Sequence, residues 1–124
     1  MSFKEDDNWR LIRNPDKGKY SFLIGVNKWS IELQHHEFVS LFKLLDTLID
    51  QYLSLVNQLM DEELINLEIE RLPWYAELEG TKGNFSLRII FESNEKTRSF
   101  EMYWPLSIAK DLFFEMRKMW ESIH

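Results

Sequence analysis

The chain has no cysteine, four glycines, three prolines and no long uninterrupted apolar stretch. Without cysteine, disulfides, thiolate metal sites and cysteine nucleophiles are excluded. A membrane-spanning helix needs about 18 consecutive apolar residues, and no segment reaches that length. The first seven residues are mostly polar and contain no apolar run, so we expect no signal peptide. These absences predict a cytoplasmic protein that does not enter a membrane.

The chain also has fewer basic residues than acidic ones. Asp and Glu total 21 against 15 Lys and Arg, which gives a net charge of −6. Binding to phosphate backbones or anionic membranes depends on Lys and Arg, so this balance disfavours both. The 124 residues have the length of one domain, and 44% of them are apolar, including five Trp and nine Phe. We therefore predict a single domain over residues 1–124 with an ordinary core and no cofactor.

An internal repeat organises the chain. Residues 9–26 return 65 positions later, without a gap, as residues 74–91, and both segments begin with tryptophan. If the next connection is four residues longer in the second copy, Ser30 aligns with Ser99. Two copies are too few for a solenoid, which needs about three or more repeats. We therefore expect the copies to share a core about a pseudo-twofold axis.

Apolar residues that alternate with polar ones predict seven strands. The first copy has three, over residues 9–13, 20–26 and 29–33, and the second has four, over residues 67–72, 74–80, 85–91 and 98–104. Residues 1–7 are polar, and we expect them to fray. The repeated units then extend over residues 9–60 and 67–123.

A change to helical spacing follows the strands in each copy. The first helix begins near His36, and its apolar stripe is Phe38, Phe42, Leu45, Ile49, Tyr52, Val56 and Leu59. The second helix carries Ala109, Leu112, Phe113, Met116, Trp120 and Ile123 on one face. The prediction is an α+β fold of duplicated βββα and ββββα units, in which an antiparallel sheet packs against two long helices.

The first helix is more apolar than one sheet requires. Leu44 and Leu53 lie off its main stripe. Large exposed apolar patches are rare on monomers and often mark an interface. The extra leucines therefore predict a homodimer formed through this helix.

Alternation also identifies the outer face of the predicted sheet. Its charged residues are Glu32, Glu77, Glu79, Glu92, Glu101, Arg10 and Arg88. Sheets bind single strands through exposed aromatic rings bordered by cations, and Tyr75 and Tyr103 are candidates for stacking. The excess of glutamate opposes this role, because carboxylates repel phosphates. A solvated face or a protein-binding face is the alternative interpretation.

Two equivalent turns contain Lys17-Gly18 and Lys82-Gly83. Lys17 and Lys82 could present a cation and free amides to an anion. The alternative is structural, because glycine supplies a positive φ in hairpin turns. The residues considered for binding are therefore Arg10, Tyr75, Arg88, Tyr103, Lys17 and Lys82.

No catalytic or metal-binding set emerges from the remaining polar residues. His35 and His36 are adjacent at a strand end and point in opposite directions, so they do not predict a metal site. Glu32 and Glu101 are equivalent in the repeat and could form a paired-acid site if the axis joins them. Their exposure at opposite ends of the sheet is the competing expectation. The chain contains no phosphate loop or dinucleotide fingerprint, and we predict that it is not an enzyme.

Several short segments resemble a known family. They are Trp9-Arg10-Leu11, Lys17-Gly18-x-Tyr20-Ser21-Phe22, Leu72-Pro73-Trp74-Tyr75, Arg88-Ile89-Ile90-Phe91 and Glu101-Met102-Tyr103-Trp104. The sequence is similar to a small family of uncharacterised cyanobacterial proteins. The order of strands and helices resembles the Whirly-like transcriptional regulators, which bind single-stranded nucleic acid. The resemblance implies that fold, but a fold does not by itself imply a function.

The predicted function is a non-enzymatic binding module. A protein partner, in a regulatory or assembly role, is favoured because the outer face is acidic. Single-stranded nucleic-acid binding is the alternative, supported by the resemblance and opposed by the charge. The sequence does not identify the partner.

Overall fold

The computed structural model describes residues 1–124 and contains the same order of elements, ββββα, twice. The elements are β1 (Ser2–Glu5), β2 (Trp9–Arg13), β3 (Phe22–Val26), β4 (Trp29–Leu33), α1 (His35–Val56), β5 (Ile65–Arg71), β6 (Trp74–Gly80), β7 (Phe85–Glu92), β8 (Ser99–Trp104) and α2 (Ala109–Ile123). The fold is α+β with an internal duplication. Neither helix combines the length and apolar character that a membrane span requires.

The chain divides into two compact units. The first comprises residues 1–42 and 111–124, and the second comprises residues 43–110. The first unit contains an antiparallel sheet with strand order β1-β2-β3-β4, and the second contains an antiparallel sheet with order β5-β6-β7-β8. Neighbours along the chain are therefore neighbours in each sheet, which is the arrangement expected of successive hairpins.

The expectation that residues 1–7 fray is wrong. Ser2–Glu5 forms β1 and pairs with β2, so that Phe3 lies opposite Ile12. The residues 65 positions after Phe3 and Ile12 are Glu68 and Glu77, and these two are paired in the second unit in the same way. The pattern did not reveal β1 because none of its side chains is buried. Both repeats therefore contain four strands.

Strand register confirms the first part of the internal repeat. Trp9 lies opposite Val26 in the first sheet, and Trp74 lies opposite Phe91 in the second. The two pairs are related by the same offset as the sequences. Both tryptophans are buried, so the repeat conserves a large aromatic side chain in each core.

The predicted alignment of Ser30 with Ser99 is wrong by two residues. Gly25 pairs with Ser30, whereas Ile90, at the position equivalent to Gly25, pairs with Glu101. The connection between the last two strands is therefore longer in the second copy than the sequences suggested. A shift of two residues leaves each side chain on its original face. Alternation of apolar residues could not detect it.

The same shift removes the equivalence of Glu32 and Glu101. Glu32 pairs with Leu23. The position equivalent to Leu23 is Arg88, and Arg88 pairs with Tyr103. Glu32 therefore corresponds to Tyr103, and the symmetry argument for a pair of acids no longer holds.

Both helices bury most of the predicted stripes, whereas Val56, Leu59, Trp120 and Ile123, at or just beyond their C-terminal ends, are only half-buried. Phe42, Leu45, Ile49, Leu112, Phe113 and Met116 are all buried, which confirms the predicted core. The first helix ends at Val56, earlier than its apolar pattern suggested. At its other end, the Glu37 carboxylate accepts a hydrogen bond from the Gln34 backbone N–H at 2.8 Å. This contact satisfies one of the amides that a helix start leaves unpaired.

The two leucines that predicted a homodimer have different environments. Leu44 is fully buried within the chain, whereas Leu53 is 52% exposed. Leu44 therefore belongs to the core and is not available to a second copy. Association through α1 stays a prediction that depends on Leu53.

The two Lys-Gly turns also differ. Gly18 has φ 94° and ψ −135°, a conformation that residues with a side chain rarely adopt. Gly83 does not have a positive φ. An added Cβ would meet no atom within 4 Å at either position. The structural role of glycine therefore holds for Gly18 and not for Gly83.

This difference gives a matched pair of variants. Gly18→Ala is expected to destabilise the protein by about 1–3 kcal/mol, because alanine must adopt a strained backbone. Gly83→Ala is expected to leave stability unchanged or slightly raised, because it restricts the unfolded chain. Urea denaturation of both variants measures the difference. Equal midpoints would show that the backbone at Gly18 is not strained.

Candidate functional site

A groove crosses the outer face of the second sheet. Its volume is about 610 Å³, and all four strands contribute to it. Its polar lining comprises Asn66, Glu68, Glu77, Glu79, Ser86, Arg88 and Tyr103. The alternation of an antiparallel sheet directs these side chains away from the core. Strand register then sets them in rows across the sheet.

One row contains only charged residues and a tyrosine. Glu68 lies opposite Glu77, Glu77 opposite Arg88, and Arg88 opposite Tyr103. Glutamates directly opposite each other repel, so this pairing requires a compensating group. The side chains of Tyr75 and Arg88 supply it.

Tyr75 lies between the two glutamates. Its Oη is 2.8 Å from Glu68 Oε2 and 2.7 Å from Glu77 Oε1. Hydrogen bonds to Glu77 and Glu68 raise the pKa of the Tyr75 phenol above its usual value, and the bond to Glu77 has the larger effect. Tyr75 therefore remains protonated and acts as a donor to its neighbours. A hydroxyl donates only one proton, so the two carboxylates share it.

Arg88 is also engaged on both sides. Its Nη1 lies 3.1 Å from Glu77 Oε1, and its Nε donates to Glu101 Oε1. These contacts raise the pKa of the Arg88 guanidinium, and the contact with Glu101 has the larger effect. The positive charge of Arg88 is therefore balanced by residues of the same sheet.

The floor of the groove has a different character. Ser86 is small and buried, and its hydroxyl lies 3.4 Å from the backbone carbonyl of Glu79. Its neighbour along β7 on the same face is the long Arg88 side chain. The small serine thus creates a depression that is bordered by Glu79 on β6. Tyr103, which is 53% exposed, lines the groove from β8, opposite Arg88.

The groove is negatively charged overall. Three carboxylates line it, those of Glu68, Glu77 and Glu79, against one guanidinium. Glu79 and Tyr103 take no part in the contacts of Tyr75 and Arg88. The arrangement therefore repels anions and attracts a cationic group.

The six residues considered for binding are divided between the two units. Tyr75, Arg88 and Tyr103 share the outer face of the second sheet. Lys82 is exposed in the turn between β6 and β7. Arg10 and Lys17 belong to the first unit.

Arg10 has a structural environment. Its guanidinium donates to the backbone carbonyls of Asn27 at 3.2 Å and Trp29 at 3.0 Å. The side chain lies across Gly25, where a Cβ would be 2.3 Å from Arg10 Nη2. Arg10 therefore secures the β3–β4 turn. Lys17 is likewise engaged, in an ion pair of 2.6 Å with Glu32.

The outer faces of the two sheets have diverged. In the first sheet, Phe3 lies opposite Ile12, Ile12 opposite Leu23, and Leu23 opposite Glu32. This row occupies the positions of the charged row in the second sheet, yet three of its four residues are apolar. The acidic groove is therefore a property of the second repeat alone.

Sequence reasoning did not identify the depression or the contact between Glu68 and Tyr75. A serine on an outer face is ordinary, and Ser86 matters only because register surrounds it with longer side chains. Glu68 could be placed only once β5 was known to join the sheet. His35 and His36, considered as metal ligands, are exposed at the start of α1.

Comparisons with known proteins identify relatives without a known function. A family model described as a domain of unknown function, DUF1818, matches residues 4–119. A solved crystal structure from the cyanobacterium Prochlorococcus sp. NATL2A, described as a protein with unknown function from the DUF155 family, is 38% identical. It superposes with a TM-score of 0.90 and covers 97% of this chain and 99% of its own. No curated protein matches. The resemblance to an uncharacterised family is confirmed, with a cyanobacterial structure as neighbour.

Proposed function

Since the chain belongs to the DUF1818 family of unknown function, we propose from its own structure that it is a non-enzymatic interaction module. The second sheet binds a basic segment of a partner protein. The observation that carries this proposal is the groove of about 610 Å³, where three carboxylates face one arginine that already has partners. Opposite charge guides association and selects partners.

The dimensions of the groove suit an extended peptide. Neighbouring strands lie about 4.8 Å apart, so four strands span about 14 Å. An extended chain advances about 3.4 Å per residue, so about four residues cross the sheet. A short basic stretch would therefore contact all four strands.

Open exposure of the acidic residues supports binding over catalysis. The side chains of Glu77 and Glu101 are 40% and 54% exposed. Acid–base and electrostatic catalysis gain most where a site excludes water. A solvated acidic surface instead serves reversible association with a cation.

Single-stranded nucleic acid is the second candidate, and the Whirly-like resemblance supports it. Tyr103 is exposed and could stack on a base. Three observations favour the basic peptide instead. The Tyr75 hydroxyl is engaged by two carboxylates, the Arg88 charge is balanced, and the remaining groove charges are negative.

Fluorescence anisotropy with a short labelled peptide of alternating arginine and serine tests the proposal. We expect binding at low salt that weakens at about 0.15 M salt and above, because ions screen exposed charges. A matching peptide of glutamate and serine should not bind. Labelled oligothymidylate should not bind either.

Charge reversal locates the site. Glu68→Lys combined with Glu79→Lys should abolish peptide binding. The matched control is Glu62→Lys with Glu95→Lys, which makes the same change in net charge at two exposed residues outside the groove. Equal losses in the two variants would show a general charge effect and contradict the proposal. Tight, salt-sensitive oligonucleotide binding would favour nucleic acid instead.

A further inference from the structure

We infer that the depression over Ser86 is a binding site for one arginine side chain of the partner segment. This inference rests on the proposed function and adds the residue that the groove selects. Ser86 lies opposite Glu79, which lies opposite Asn66, and Tyr103, opposite Arg88 in the adjacent row, lines the same groove. The Arg88 guanidinium contacts Glu77, which lies opposite it, and Glu101, which lies opposite Ile90 on the side away from Ser86.

The groups around the depression match a guanidinium. A carboxylate accepts two parallel hydrogen bonds from arginine, and Glu79 offers both of its oxygens. A guanidinium also stacks on an aromatic ring, and the ring of Tyr103 is 53% exposed. The amide oxygen of Asn66 can accept a further N–H. A serine floor leaves room for a flat group.

The same face already holds one guanidinium by single contacts to two carboxylates. Arg88 lies between carboxylates of β6 and β8, with contacts to Glu77 and Glu101. An incoming arginine would occupy the adjacent row. Repulsion between the incoming guanidinium and Arg88 is offset because Glu77 and Glu101 balance the charge of Arg88. Glu68 and Glu79 then attract the incoming guanidinium.

Arginine should be preferred to lysine at this position. The lysine ammonium is compact and strongly hydrated, and it cannot form a planar pair with a carboxylate while stacking on a ring. Stacking at an exposed site corresponds to about two- to fivefold in affinity. Glu79 contributes to either cation, whereas Tyr103 contributes mainly to arginine.

The test uses three peptides that differ at one central position, which is arginine, lysine or citrulline. Citrulline keeps the planar shape of arginine without its charge. For the wild-type protein we expect the order arginine, lysine, citrulline, with arginine bound about two- to fivefold more tightly than lysine. Tyr103→Leu should abolish the preference, and Tyr103→Phe should retain it. Glu79→Gln should weaken both charged peptides, whereas the control Glu95→Gln should weaken neither.

The outcomes separate the two proposals. If the basic peptides bind the groove but arginine and lysine bind equally, the arginine site is wrong and the interaction module stands. If Tyr103→Leu keeps the preference, the stacking contact is wrong. If no basic peptide binds the wild type, the proposed function itself fails. Circular dichroism of each variant establishes that it is folded before its affinity is compared.

Discussion

Replacing Leu44 with glutamate is expected to unfold the protein, whereas the same change at Leu53 is expected to leave it folded. Both residues lie in α1, but Leu44 is fully buried and Leu53 is 52% exposed. Loss of a buried leucine costs about 2–5 kcal/mol, and an unpaired buried carboxylate adds several more. The sum is comparable to the total stability of a domain, about 5–15 kcal/mol.

Far-ultraviolet circular dichroism and urea denaturation measure this difference. The Leu53→Glu variant should show a cooperative transition close to that of the wild type, and Leu44→Glu should show little or none. Similar midpoints for the two variants would mean that α1 presents a different face to the core. Sedimentation of Leu53→Glu beside the wild type also tests the homodimer prediction, because a dimer that uses this face should dissociate.

The second large effect is expected at adjacent phenylalanines of α2. Phe113 is 6% exposed, and its ring stacks with Phe42 at 5.8 Å between centroids. Phe114 is 56% exposed, with the Lys118 ammonium 4.7 Å from its ring centre. Phe113→Ala should therefore destabilise by about 3–5 kcal/mol, because it leaves a cavity in the core.

Phe114→Ala is the matched control because it makes the same change one residue away. It removes one exposed cation–π contact, which is worth about 0.5–1 kcal/mol. Thermal and urea denaturation of the two variants should therefore differ by several kcal/mol. A loss under about 1 kcal/mol for Phe113→Ala would contradict the packing described for this helix.

Much of the fold could be predicted because the core-facing residues follow simple periods. The helical stripes and the repeat of Trp9 as Trp74 were both visible in the sequence. The predictions that were wrong concern features that do not change the spacing of apolar residues along the chain. The strand formed by Ser2–Glu5 buries no side chain, and a shift of two residues between Ser30 and Ser99 preserves every face.

Leu44 illustrates a different limit. It follows Leu41 by three residues and precedes Leu48 by four, the spacing of a second buried row. Sequence alone could not decide whether that row faced the same core or another chain. The structure buries all three residues within the chain.

The candidate site was only partly predictable. Alternation correctly placed Tyr75, Arg88 and Tyr103 on one face, because side chains along a strand alternate between faces. The engagement of Arg10 with backbone carbonyls depends on its register beside Gly25, which the sequence does not give. The groove likewise depends on register, since residues of all four strands line it.

An amide chemical-shift titration of the isotope-labelled protein with the arginine–serine peptide tests the central claim most directly. We expect the largest shifts on the second sheet, at Asn66, Glu79, Ser86, Arg88 and Tyr103, and we expect them to saturate. Residues on the outer face of the first sheet, such as Ile12 and Leu23, should not shift. Saturable shifts confined to the first sheet or to α2, or no shifts at low salt, would contradict the claim.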